Sequence, residues 1–179
     1  MGALTLVALA PEHRAEYVRV LTLSEPLHAP WSPVRPPGDS FEALFERQLE
    51  KAASGTCWKG VGLLPDGRIG GCFNCNEIVR GPFQNAYAGW MVNAEVANQG
   101  VATAGVRALL AFAFAETGLG LHRVQANIIP RNRPSVRVAE KAGFRLEGLA
   151  RRYLQIAGVW EDHAMYGRTS EEAPDHSPR

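Results

Sequence analysis

A chain of 179 residues falls in the size range of one domain and is long enough to bury a substantial core. Its hydrophobic share of 46% and charged share of 21% are ordinary for a soluble globular protein. A net charge of +1 argues against the strongly basic face of a dedicated nucleic-acid binder.

In chain order, ALTLVALA (3–10) opens as a strand over 4–9 and passes into PEHRAEYVRVL, an amphipathic helix over 11–23. The opening run is far short of the roughly 18 apolar residues of a membrane span, and it lacks the basic leader of a signal peptide. A cytoplasmic protein with no membrane association is expected. A Pro-rich link (25–40) ends at Ser40, the expected cap of a helix over 41–54. Strand-like runs at 57–64 and 68–79 flank PDG (65–67), a hairpin-turn sequence. RGPFQ (80–84) then turns the chain into a strand over 85–93.

Residues 101–117 form the clearest helix. Val106, Leu109, Leu110, Ala113 and Phe114 make one apolar stripe, and Gly118 and Gly120 end it. HRVQANII (122–129) reads as a strand, and Asn132 caps a helix with Pro134 in its first turn and Gly143 at its end. Two strands near 144–156 and 159–168 bracket Ala157-Gly158. This order predicts one α/β (α+β) domain over 1–168, a mixed sheet flanked by helices. A polar, Pro-containing tail over 169–179 is expected to be disordered.

Cys72 and Cys75 have metal-ligand spacing, but three positions apart on a strand their side chains point to opposite faces. No second Cys/His pair stands nearby, so no metal is expected. With Cys57 they read as small hydrophobes of a reducing compartment.

ANQGVATAG (97–105) lies where a strand becomes the clearest helix. The first N–H groups of a helix have no internal partner and suit an anionic oxygen, and small side chains let a diphosphate approach them. A tight strand-to-helix turn explains the same composition. Some thirty residues on, after VQANIIP, comes NRPSVRVAEKAGFRLEG (132–148).

Together these two stretches resemble the paired signature of the GCN5-related N-acetyltransferase (GNAT) superfamily. IGGCFNCNEIVRGPFQNAYAGWMV (69–92), RRYLQIAGVWEDHAMYGR (151–168) and APWSPVRP (29–36) are similar to segments of its RimJ/RimL branch, most of all to RimJ. The likeness runs over roughly 25–168. It implies a mostly antiparallel sheet of about seven strands with about four helices. It also implies acetyl-CoA as cosubstrate, no metal, and a protein N-terminus, such as that of a ribosomal protein, as acceptor. A small amine acceptor (an antibiotic or a polyamine) and a non-catalytic acyl-CoA sensor stay open, as do a monomer and a homodimer. Direct nucleic-acid binding is not implied.

The resemblance places Met91, Val92, Asn98, Gln99, Gly100, Val101, Ala102, Thr103, Asn127, Asn132, Ser135 and Lys141 along the cofactor. Ser135 takes the position that serves the leaving thiolate in RimL, and the backbone N–H of Val92 the position that receives the thioester oxygen. Trp31, Arg35, Asn76, Arg80, Phe83, Tyr87 and Tyr153 would wall the acceptor. The chain departs from the pattern at Ala97, where the loop usually carries Gln or Arg, which implies a weaker grip on the diphosphate. The RimI leaving-group Tyr matches Ala139, the RimI base matches Asn127, and the RimL Glu matches Leu154. The base is therefore expected to be a relayed water, or Glu77 or Asp162. A covalent route through Cys57 or Cys75 lacks a His to pair with the thiol in the sequence.

Overall fold

The computed structural model describes residues 4–31 and 38–172. Its elements are β1 (Thr5–Ala8), α1 (Arg14–His28), α2 (Phe41–Ala53), β2 (Trp58–Leu63), β3 (Ile69–Val79), β4 (Asn85–Val92), α3 (Val101–Phe114), β5 (Arg123–Ile128), α4 (Arg133–Lys141), β6 (Arg145–Ile156) and β7 (Val159–Thr169). Seven strands form one sheet in the order β1-β2-β3-β4-β5-β7-β6. Every neighbouring pair is antiparallel except β4 with β5. The mixed α/β fold expected from the sequence is the one observed.

Strand alternation divides the core between two faces. Val61, Ile69 and Cys72 pack with Tyr17, Leu21, Leu44 and Phe45 of α1 and α2. Phe73, Cys75, Val124, Ala126 and Ile128 pack with Val106, Leu109 and Leu110 of α3 and Val136 and Ala139 of α4. Cys72 and Cys75 thus stand on opposite faces, and burial pushes each thiol up to about 12. Gly105 lets α3 close on the sheet: a Cβ there would lie 1.9 Å from Cζ of the Phe73 ring.

Two boundaries differ most from expectation. The first helix does not stop at 23 but runs through Pro26 to His28. Its end is held by tertiary bonds: Ser24 Oγ accepts from Ala94 N–H at 3.0 Å, and His28 Nε2 reaches Val92 O at 2.8 Å. Of the expected Pro-rich link, residues 32–37 lie outside the described residues, Arg35 among them. The ordered domain also extends past 168. A 3-10 turn over Ser170–Glu172 is tied down by Ser170 N–H on His122 O (2.8 Å) and Glu172 Oε2 on Thr169 N–H (3.0 Å). The rest of the tail, 173–179, lies outside the described residues.

The feature that positions the site is the parallel pair. β4 and β5 are in register only at Asn85–Arg123, Ala86–Val124 and Tyr87–Gln125. Beyond that point β4 stays paired with β3 up to Val92, and β5 stays paired with β7 up to Ile128. Each strand keeps its outer neighbour and loses its inner one, so a wedge opens between residues 88–92 and 126–128.

Candidate active site

Two cavities enter the wedge. One lies between the start of α3 and the length of α4, with a volume of about 280 Å³. The other lies under α1 and α2, with a volume of about 370 Å³. His28, Trp31, Trp90, Asn132 and Ser135 border both, so the cavities meet there.

The α3 cavity is built from a local run of sequence. Asn93 caps a 3-10 turn, Ala94–Val96, by accepting from Glu95 N–H at 3.0 Å. Asn98 and Gly100 then take positive φ (62° and 83°), bending the chain into α3 with Gly100 as its cap. The first intrahelical bond is Ala104 N–H to Gly100 O at 3.0 Å. The N–H groups of Val101, Ala102 and Thr103 precede that bond and are available to an anion. Opposite them, Arg137 and Lys141 come one turn apart on α4. No Asp or Glu lies among the described residues lining this cavity. Free helix N–H groups, two cations and small side chains fit a polyanion with a long, thin arm.

Of the residues expected along a cofactor, Val92, Asn98, Gly100, Ala102, Thr103, Asn132, Ser135 and Lys141 line this cavity. Met91 and Asn127 border the other one. Gln99 turns back to bond Glu95 O at 3.4 Å, and the Val101 side chain packs toward Gly70. Ala97 does line the cavity, with a methyl where the loop pattern carries Gln or Arg. Arg137 was not singled out from the sequence; its spacing of four from Lys141 was the available signal.

At the junction, backbone direction follows from register. Asn93 N–H donates to Gly70 O at 2.9 Å, and Val92 stands opposite Gly71 one position back. Hydrogen-bonded positions alternate in an antiparallel pair, so Val92 directs its N–H and C=O away from β3 and into the wedge. The His28 bond to Val92 O fits this direction. Because a carbonyl only accepts, His28 Nε2 carries the proton; burial lowers the pKa of this ring and the bond opposes that shift. Asn132 Oδ1 caps α4 by accepting from Ser135 N–H at 3.3 Å, which fixes Ser135 in the first turn, between the two cavities.

The second cavity draws on distant segments. Of the residues expected to wall the acceptor, Trp31 and Asn76 border it. Asn127 borders it too, its amide bonded at both ends: Oδ1 accepts from Gln125 Nε2 and Nδ2 donates to Tyr153 Oη, each at 3.0 Å. Burial first, then the neighbouring Tyr87 and Glu77, raises the pKa of Tyr153. These two tyrosines therefore back the wall through Asn127 and are not among its described lining residues. Arg80 and Phe83 stand on the β3–β4 turn, away from both cavities. Arg80 Nη1 donates to Leu119 O at 2.6 Å and so braces that turn.

Neither carboxylate expected as a base borders a cavity. Glu77 is exposed at a bulge of β3, and Asp162 Oδ1 accepts from Arg152 N–H at 2.8 Å, bridging an irregularity of the β6–β7 hairpin. The cavity instead presents His163, 3% exposed, from β7. Its Nδ1 lies 3.1 Å from Glu161 O, so Nδ1 carries a proton and Nε2 holds a lone pair in the neutral ring. Tyr153 packs beside the ring at 5.5 Å. Glu161 in turn grips Arg131 through both guanidinium nitrogens (2.6 and 2.7 Å), and Arg131 stacks over Trp31 at 5.8 Å. The sequence shows His163 only as part of an Asp-His pair. Its place follows from the pairing of Asn127 with Met165, two positions on, which puts His163 on the Asn127 face.

A family profile described as "Acetyltransferase (GNAT) domain" matches residues 3–145. The probable N-acetyltransferase YjcK of Bacillus subtilis is 42% identical over 106 residues, which is 59% of this chain and 58% of that protein. The [ribosomal protein uS5]-alanine N-acetyltransferase of Escherichia coli is 29% identical over 154 residues, covering 83% of this chain and 77% of that enzyme. Among solved structures, Mycobacterium smegmatis RimJ in complex with CoA-disulfide superposes with a TM-score of 0.86 at 28% identity, over 97% of this chain and 85% of that one. The chain belongs to the GNAT family of N-acetyltransferases and resembles its RimJ/RimL branch.

Proposed function

We propose that the chain takes acetyl-CoA into the α3–α4 cavity and acetylates the α-amine of a protein N-terminus, such as that of a ribosomal protein, presented from the α1–α2 cavity. The observation that carries this reading is that an anion-suited cavity meets, at Trp90, Asn132 and Ser135, a cavity whose described lining holds no carboxylate. A polyamine would need acidic walls, and no Asp or Glu lies among the described residues lining the acceptor side. The uS5-alanine acetyltransferase of Escherichia coli supports the choice of acceptor.

When bound, acetyl-CoA supplies an activated acyl group. The residues of this chain divide the remaining work. The N–H groups of Val101–Thr103, with Arg137 and Lys141, hold the phosphates. Val92 N–H offers a fixed dipole to the oxygen that gains charge. The Ser135 hydroxyl hydrogen-bonds the departing sulfur. His163 Nε2, directly or through one water, accepts the amine proton, which replaces Glu77 and Asp162 in that role. An α-amine has a pKa of about 7.7–8.0, so this base is required mainly below that range.

The test is free-thiol release with acetyl-CoA and peptides beginning with Ala or Ser, compared with spermidine, with the acetyl group located by mass spectrometry. Acetylation at the peptide α-amine is expected. Modification of spermidine alone, or tight CoA binding with no peptide-dependent release, would overturn the assignment.

A further inference from the structure

The acceptor cavity contains a cation that the transfer chemistry does not use. Lys59 of β2 is 7% exposed and lines the cavity beside Asn74 and Asn76. Its ammonium donates to Asn76 Oδ1, and Asn76 Nδ2 in turn lies 3.5 Å from Tyr87 O. An ammonium has three donors, and among the described residues Asn76 Oδ1 accounts for one of them. Among the described residues, the charged and titratable groups acting on Lys59 are the thiols of Cys57 and Cys75 and the like-charged Lys51. Burial is the largest influence and lowers its pKa, and no carboxylate is among the described groups that act on it.

A buried ammonium without a carboxylate is costly, and the cost is recovered when an anion arrives with the ligand. Two polar side chains, Asn74 and Gln48, border the same cavity and can solvate such a group. The place of Lys59 also sets a scale. It is paired with Asn74, Asn74 with Gly89, and Val92 lies three residues beyond Gly89 on β4. Two strand spacings and three residues of rise put the backbone of Lys59 on the order of 14 Å from that of Val92. The long side chain covers part of that gap. An α-carboxylate adjacent to the reacting amine cannot reach so far. A side chain on the second or third residue of an extended peptide can, at about 3.3–3.6 Å per residue.

Resting on the N-terminal reading above, we propose that Lys59, flanked by Asn74 and Asn76, is a specificity-determining residue that selects acceptors with an acidic side chain at the second or third position after the acetylated amine. The partner implied is a protein with an acidic N-terminal segment.

The experiment uses one Ala-initiated peptide series with Asp or Glu at position two or three, against Asn, Gln and Lys at the same positions. For the wild-type chain, kcat/KM for the acidic member is expected to exceed that of its amide isostere by about tenfold. In Lys59→Met, which keeps the length of the stem, that ratio should fall to within about twofold. The ratio is read within one preparation, and protection of the variant by CoA against thermal unfolding verifies its fold. No acid preference in the wild type at either position would overturn the inference while leaving N-terminal acetylation intact. So would a preference that survives in Lys59→Met. Failure to acetylate any member of the series would overturn both.

Discussion

The two cavities that meet at Trp90 and Ser135 are made from different kinds of sequence. The α3–α4 cavity comes chiefly from two short runs, 97–103 and 132–141, in which local backbone conformation does the positioning. Positive φ at Asn98 and Gly100 and the Asn132 cap fix its donors with few long-range bonds. The acceptor cavity takes side chains from α1, α2, β2, β3, β4, β5, α4, β6 and β7, and none of its walls exists until the sheet is assembled. A cofactor shared by many enzymes can be held by a transferable local motif. An acceptor particular to one enzyme is read by residues that only tertiary structure brings together.

The sharpest way to break the local half is to place a negative charge at the helix start proposed to hold the phosphates. In Ala102→Glu the new carboxylate sits in the first turn of α3, where it favours the helix dipole and preserves the helix. It also repels the phosphates. The Michaelis constant for acetyl-CoA should rise about a hundredfold, and protection by CoA against thermal unfolding should vanish. Gly100→Glu carries the same charge but adds strain at φ 83°, so it does not separate repulsion from distortion. Undiminished protection of Ala102→Glu would show that the phosphates do not bind at the start of α3.

A smaller effect is expected from the distributed half. His163→Gln keeps a polar side chain of similar size but removes the lone pair that accepts a proton. With peptide acceptors, turnover should fall about tenfold at pH 7 and approach the wild-type rate within about twofold near pH 9, where the α-amine has already lost its proton. Acetyl-CoA binding should not change. A deficit equal at both values would reduce His163 to a packing role beside Tyr153.

The contrast explains what the sequence disclosed. Seven strands, four helices, the caps at Ser40 and Asn132 and the opposed faces of Cys72 and Cys75 follow from local periodicity, and all are observed. The loop 97–103 was legible because small residues and a helix start are adjacent in the chain. His163 and Lys59 were not. Each is an ordinary polar residue in a strand-like run, and its value comes from register: Asn127 opposite Met165 for one, Lys59 opposite Asn74 for the other. Pro26 misled for a related reason. Its local preference ends a helix, but the bonds of Ser24 and His28 to β4 and the turn after it carry α1 to His28.

The two halves are joined where α3 rests on β3, and that contact gives the mildest test. Gly105 is buried, and an added Cβ would lie 1.9, 2.2 and 2.4 Å from three atoms of the Phe73 ring. On an exposed helix Gly→Ala gains about 1 kcal/mol. Here overpacking of about 1–3 kcal/mol opposes that gain, because Phe73 is itself 0% exposed and has no space to yield. Gly105→Ala should therefore lower Tm by a few degrees in a chain of this size. α3 carries the loop 97–103 on its leading end, whereas Lys59 and Asn76 stand on β2 and β3, on the far side of the sheet. A helix pushed off Phe73 shifts the phosphate donors relative to Val92 and leaves the acceptor wall in place. The acetyl-CoA KM should rise severalfold with the peptide KM unchanged. Equal increases in both constants would show that α3 positions the two cavities together, and that the division between local and distributed halves stops at the sheet.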